Sequence, residues 1–210
     1  MLPRWPSLLA AAFVILYFPV FTPAQAHDAI TLFGVAVTGF PALMLHALLT
    51  PEQVFLLAAI VLIAGRMERR AFASAALALG AGMMAGKGAH LAVASLSAYW
   101  YAPLVAALAG GLTVAAFGRI RADYGIALVF ILSFVLSVGI VPAQPTETGL
   151  ILAVAAAILA GLICLVVIGM PLTFVKTRWG GVLIRVVGAW LAAIALLNLA
   201  LAFNPAALGG

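Results

Sequence analysis

The sequence predicts an all-α fold: a polytopic transmembrane helix bundle with about six net crossings after a cleaved signal peptide. Three observations predict it. Of 210 residues, 67% are hydrophobic and only 7% are charged, whereas soluble domains carry about 25% charged residues. Apolar runs of membrane-spanning length recur along the chain. Lys and Arg gather in three connections, and the connections between them carry none. The mean hydropathy of +1.31 leaves too little polar surface to face water. A soluble enzyme and a nucleic-acid-binding domain are therefore excluded. The net charge of +5 comes from ten Lys and Arg against five Asp and Glu, without the dense basic stripe that phosphate backbones need. The single cysteine, Cys164, allows no disulfide within the chain and no Cys-rich metal cluster.

Residues 1–26 have the order of a secretory signal peptide. Arg4 supplies the positive start, Leu8 to Val20 the apolar stretch, and Ala24-Gln25-Ala26 the small residues at the cleavage site. An uncleaved first helix is the competing reading; Pro19, Pro23 and the Ala-x-Ala favour cleavage. The mature chain then opens at His27-Asp28 outside a bacterial inner membrane, and residues 27–210 form a single transmembrane helical domain.

The clear apolar runs are Ala71 to about Ala98, Ala102 to Gly118, Tyr124 to Val141, Gly149 to Met170 and Val182 to Phe203. Before Arg66 the pattern is less regular: Ala29 to Leu49 and Gln53 to Ala64 are divided by Thr50-Pro51-Glu52-Gln53. The three basic clusters are Arg66/Arg69/Arg70, Arg119/Arg121 and Lys176/Arg178/Arg185. Such loops face the cytoplasm. The stretch 142–147 has no Lys or Arg, and Tyr99-Trp100-Tyr101 is an interfacial aromatic signal, so both belong outside. With the mature N-terminus outside, residues 27–64 must make one net crossing. They are too long for one straight span, so part of them is expected to be broken or re-entrant at Pro41 or Pro51.

Few polar residues remain to carry chemistry. His46, Thr50, Glu52 and Gln53 cluster at the break. They read either as a capped helix start, with Thr50 as N-cap and Pro51 in the first turn, or as a cation or proton site built from an imidazole and a carboxylate. His27 and Asp28 read as a solvated terminus or as an outer metal chelate. Lys87 and His90, one turn apart, read as interfacial anchors or as a cationic lining of an outer vestibule. Gly82 and Gly86 form a Gly-x-x-x-Gly face suited to close helix contact, within the chain or between chains. Ser133 and Ser137 share a helix face and are expected to bond backbone carbonyls one turn back. No catalytic group is assembled, so the chain is not expected to be an enzyme and no tightly bound cofactor is expected.

Two stretches resemble a known family. His46-Ala47-Leu48-Leu49-Thr50-Pro51-Glu52-Gln53 ahead of an apolar helix, and Arg185-Val186-Val187-Gly188-Ala189-Trp190 near the C-terminus, look like motifs of the HupE/UreJ family. That family's small membrane proteins are associated with nickel, and sometimes cobalt, permease activity. Its first motif is roughly His-Pro, four residues, then Asp-His. Here Ala47 stands for the Pro, Glu52 for the Asp and Gln53 for the second His. The resemblance implies a metal site at His46, Glu52 and Gln53, with His27 and Asp28 as outer helpers, and nickel or cobalt as cargo. The competing expectation is a non-transporting accessory or assembly subunit of a metalloenzyme or membrane complex. On either reading the partners are the lipid bilayer and, by way of the flat Gly/Ala faces, a membrane protein or a second copy; no nucleic acid is among them.

Overall fold

The computed structural model describes residues 30–32, 35–37, 40–93, 99, 101–138, 140 and 147–203. The chain divides into two units, residues 1–38 and 39–210. In the first, strands β1 (Ile30–Leu32) and β2 (Val35–Val37) pair antiparallel, with Ile30 opposite Val37. The apolar run expected to start at Ala29 thus begins as a ribbon rather than a helix. The β-branched residues Ile30, Thr31, Val35 and Val37 favour the extended backbone.

In the second unit the regular elements among the described residues are all helices. Helix α1 (Phe40–Leu49) and helix α2 (Pro51–Gly65) are separated only by Thr50. Thr50 is extended, at φ −71° and ψ 118°, and its carbonyl accepts the amides of Gln53 and Val54 at 3.0 and 2.9 Å. Pro51 lies in the first turn, where its missing donor is harmless. The Thr50 hydroxyl makes no capping bond. The break expected at Pro51 is therefore present, made by the backbone.

Helix α2 is apolar on every side, as a central helix must be. Leu56, Ile60 and Ile63 are fully buried, and residues 59–65 are buried without interruption. Around it stand α3 (Phe72–Ala92), α4 (Ala102–Ala116), α5 (Ala122–Val138), α6 (Glu147–Cys164) and α7 (Arg178–Phe203). Helix α6 runs on through a π-helical turn, Leu165–Gly169, into a last turn, Met170–Leu172. Pro171 accounts for the π turn. It has no amide hydrogen, and its ring would press on the carbonyl four residues back in a regular helix. The widened turn seats Gly169 against the Val61 carbonyl.

Glycine contacts give the helix directions. Gly82 meets Phe130 and Gly86 meets Phe134, so α3 and α5 run parallel. Gly161 meets Leu57, and Gly65 meets Leu172, so α2 and α6 run parallel. Gly161 also meets Leu79, and Gly169 meets Phe72, so α3 opposes α6. Gly111 meets Ala192 and Gly188 meets Val114, so α4 and α7 are antiparallel. Gly110 meets Ala59, and Ile120 donates its amide to the Arg66 carbonyl at 3.2 Å, so α4 follows α2. Helices α2, α4 and α6 thus point one way, and α3, α5 and α7 the other. The three basic connections lie at one end of the bundle.

Among the described residues, two helices are long and apolar enough to cross a membrane, residues 149–172 and 178–203. Helices α2, α4 and α5 are shorter apolar helices. At about 1.5 Å per residue, the 15 residues of α4 rise about 22 Å, against a hydrocarbon core of about 30 Å. Helix α3 has 21 residues, but Lys87 and its glycines lower its hydropathy.

Candidate functional site

Polar residues gather in two places within the bundle. The first is the joint between α1 and α2. Glu52 occupies the first turn of the central helix. Gln53 beside it is buried, at 5% exposure. The N-terminus of α2 carries a partial positive charge beside Glu52, and the C-terminus of α1 presents its last carbonyls at the same joint. His46 lies on α1, on the far side of the joint from Glu52. The side chain of His46 and all of His27 and Asp28 lie outside the described residues. Among the described residues, no three His, Cys, Asp or Glu side chains come together to hold a metal ion.

The second place is the contact between α3 and α5. Helix α3 comes so close that a Cβ on Gly82 would strike the Phe130 carbonyl oxygen, and one on Gly86 the Phe134 carbonyl oxygen. Here the Gly-x-x-x-Gly face serves a contact within the chain. Lys87 is next to it, at 5% exposure, and its Nζ donates to the Ile140 carbonyl at 2.6 Å. The expectation that Lys87 anchors at the headgroups is corrected: its amine is turned inward onto α5. The reason is that Ile140 follows the end of α5, where carbonyls lack helical partners and carry partial negative charge. The amine ties α3 to the chain just past the end of α5.

Ser133 and Ser137 are fully buried in the same contact. Their hydroxyls have no hydrogen-bond partner among the described residues, which corrects the expectation of bonds to carbonyls one turn back. His90 Nδ1, one turn beyond Lys87, is likewise buried without a partner among the described residues. Ser133 meets Gly82 in this contact, and Lys87 joins α3 to the chain just past α5. Sequence reasoning named Ser133, Ser137, Lys87 and His90 but could not join Lys87 to Ile140, which lie 53 residues apart.

The closing-helix motif also finds a physical role. Gly188 lets α7 approach α4 until Val114 lies 2.8 Å from where its Cβ would be. Arg185 Nε donates to the Ala115 carbonyl at 2.7 Å, in the last turn of α4. Trp190 points away from the bundle, 69% exposed. Cys164 is partly buried and unbonded to any other cysteine, as a lone cysteine must be. Compared with protein-family models, curated proteins and solved structures, the chain matches none.

Proposed function

We propose that this chain is a multi-pass protein of the bacterial inner membrane, of HupE/UreJ type, that passes a divalent transition-metal ion of the nickel kind. The observation that carries the reading is the start of the central helix: Glu52 and Gln53 open α2, directly after a break in the chain. Broken helices in transporters place backbone carbonyls and helix termini at the ion site. The chemistry follows from the donors. Glu52 supplies charge, Gln53 a neutral oxygen, the end of α1 its carbonyls, and His46 an imidazole, which suits nickel better than oxygen does. His27 and Asp28 capture the ion outside and hand it inward. In this reading α2 to α7 make the six crossings, the basic end faces the cytoplasm, and the mature N-terminus is periplasmic. Two helices of full spanning length support the membrane setting.

A second reading, a non-transporting accessory or assembly subunit, is favoured by Lys87. A fixed cation buried in the bundle opposes the passage of a divalent cation.

Cellular metal content decides between them. Cells expressing the wild type, His46→Ala or Glu52→Ala are grown with trace nickel, cobalt, copper, zinc and iron. The permease reading expects one metal to accumulate with the wild type and with neither variant. Equal content in all three, with each protein present in the membrane, refutes it and leaves the accessory reading.

A further inference from the structure

The basic end of the bundle holds a feature that metal passage does not use. Three guanidinium groups from three segments converge there. Arg66 ends α2, Arg119 lies between α4 and α5, and Arg185 projects from α7. Arg66 reaches across the end of the bundle. Its Nη2 lies 3.7 Å from where a Cβ on Gly118 would be, and its Nη1 3.8 Å from one on Gly181. Arg185 is fixed by its bond to the Ala115 carbonyl. Burial first, then the charges of Arg119 and Arg185, lower the Arg66 pKa from its ordinary value. Arg66 remains cationic all the same.

No carboxylate answers this charge among the described residues. The acids described at this end are engaged elsewhere: Glu68 with Arg70 at 2.6 Å, and Asp123 with Arg121 at 3.6 Å. The Nε of Arg66 is buried and has no hydrogen-bond partner among the described residues. Three like charges near one another, with a buried donor that has no partner among the described residues, favour an anion between them. Phe117, Phe174 and Trp179 stand exposed at the same end, Trp179 at 84%, as rings do at the headgroup level.

We propose that Arg66, Arg119 and Arg185 form a binding site for a phosphate group, carried by an anionic lipid headgroup or free in solution. Guanidinium forks match phosphate oxygens two at a time, and basic pockets between membrane helices hold such headgroups.

Calorimetric titration of the detergent-solubilised full chain tests this. One arm adds phosphatidylglycerol in mixed micelles, with phosphatidylcholine as the zwitterionic comparison. A second arm adds inorganic phosphate. The site predicts saturable binding in at least one arm, weakened about tenfold or more by Arg66→Gln and by Arg119→Gln. Arg119 is exposed, so its substitution leaves the core untouched. Binding of phosphatidylglycerol alone assigns the site to lipid; binding of inorganic phosphate assigns it to the free anion. Arg70→Gln removes one charge from the same end, but Arg70 is already paired, so binding should persist. No binding in either arm, or equal weakening by Arg70→Gln, overturns the proposal.

Discussion

Two helix contacts in this bundle use the same device for different ends. Between α4 and α7, Gly111 and Gly188 bring antiparallel helices together, and the neighbours they meet are Ala192 and Val114. Between α3 and α5, Gly82 and Gly86 bring parallel helices together, and beside them lie Lys87 and two fully buried serines. The first contact is apolar at its glycines, and Arg185 ties α7 to the Ala115 carbonyl at one end of it. The second keeps polar groups buried beside its glycines. Close approach therefore does not require polarity here, and the polar groups of the α3–α5 contact call for a separate explanation. The bond from Lys87 to the Ile140 carbonyl explains one of them.

Substitutions can break or sharpen this contrast. The largest effect is expected from Lys87→Glu, which buries a carboxylate against a carbonyl oxygen. It should destabilise by about 3–5 kcal/mol, seen as loss of the folded protein in detergent melting, whereas Lys87→Met, which leaves the buried Ile140 carbonyl unpaired, should cost about 1–3 kcal/mol. Next is Gly86→Ala. Its new methyl meets backbone rather than a mobile side chain, so the loss should reach the upper end of about 1–3 kcal/mol. Gly88→Ala, with open space around it, should instead raise stability by about 0.5–1 kcal/mol. Equal melting temperatures for these two alanine variants would contradict the close contact. In the α4–α7 contact, Arg185→Met removes the bond to the Ala115 carbonyl and should cost about 1 kcal/mol. The smallest change is expected from Ser133→Ala. Removing a buried hydroxyl without a partner should stabilise by up to about 1 kcal/mol, and a loss on melting would mean that the hydroxyl is bonded after all.

Much of the fold was legible because charge and hydropathy are strong signals in so apolar a chain. The runs from Ala102, Tyr124, Gly149 and Val182 lie within α4 to α7, give or take a few residues. The three arginine clusters were read as sharing a side, and helix directions traced through glycine contacts bring them to one end. Proline chemistry offered Pro41 and Pro51 as break points; the helices part before Pro51, and Pro41 lies in the first turn of α1. Other features were not. The ribbon at Ile30–Leu32 and Val35–Val37 is apolar, and short apolar runs do not distinguish strand from helix. The π turn seats Gly169 against Val61 of α2, and that contact is a tertiary matter. Lys87 looked like an anchor because its charge was visible and its distant partner, a backbone carbonyl, was not. Arg66, Arg119 and Arg185 were read as topology markers, since convergence in space leaves no mark in spacing. At the α1–α2 joint, the sequence supplied the residues and the structure added that they open the central helix.

The most direct test of metal passage is flux into proteoliposomes. Purified full-length protein is reconstituted with a metal-sensitive fluorophore trapped inside, and nickel is added outside. The proposed function predicts a saturable fluorescence change for the wild type that Glu52→Ala abolishes. A wild-type trace no different from protein-free vesicles, or one that Glu52→Ala leaves intact, would contradict it.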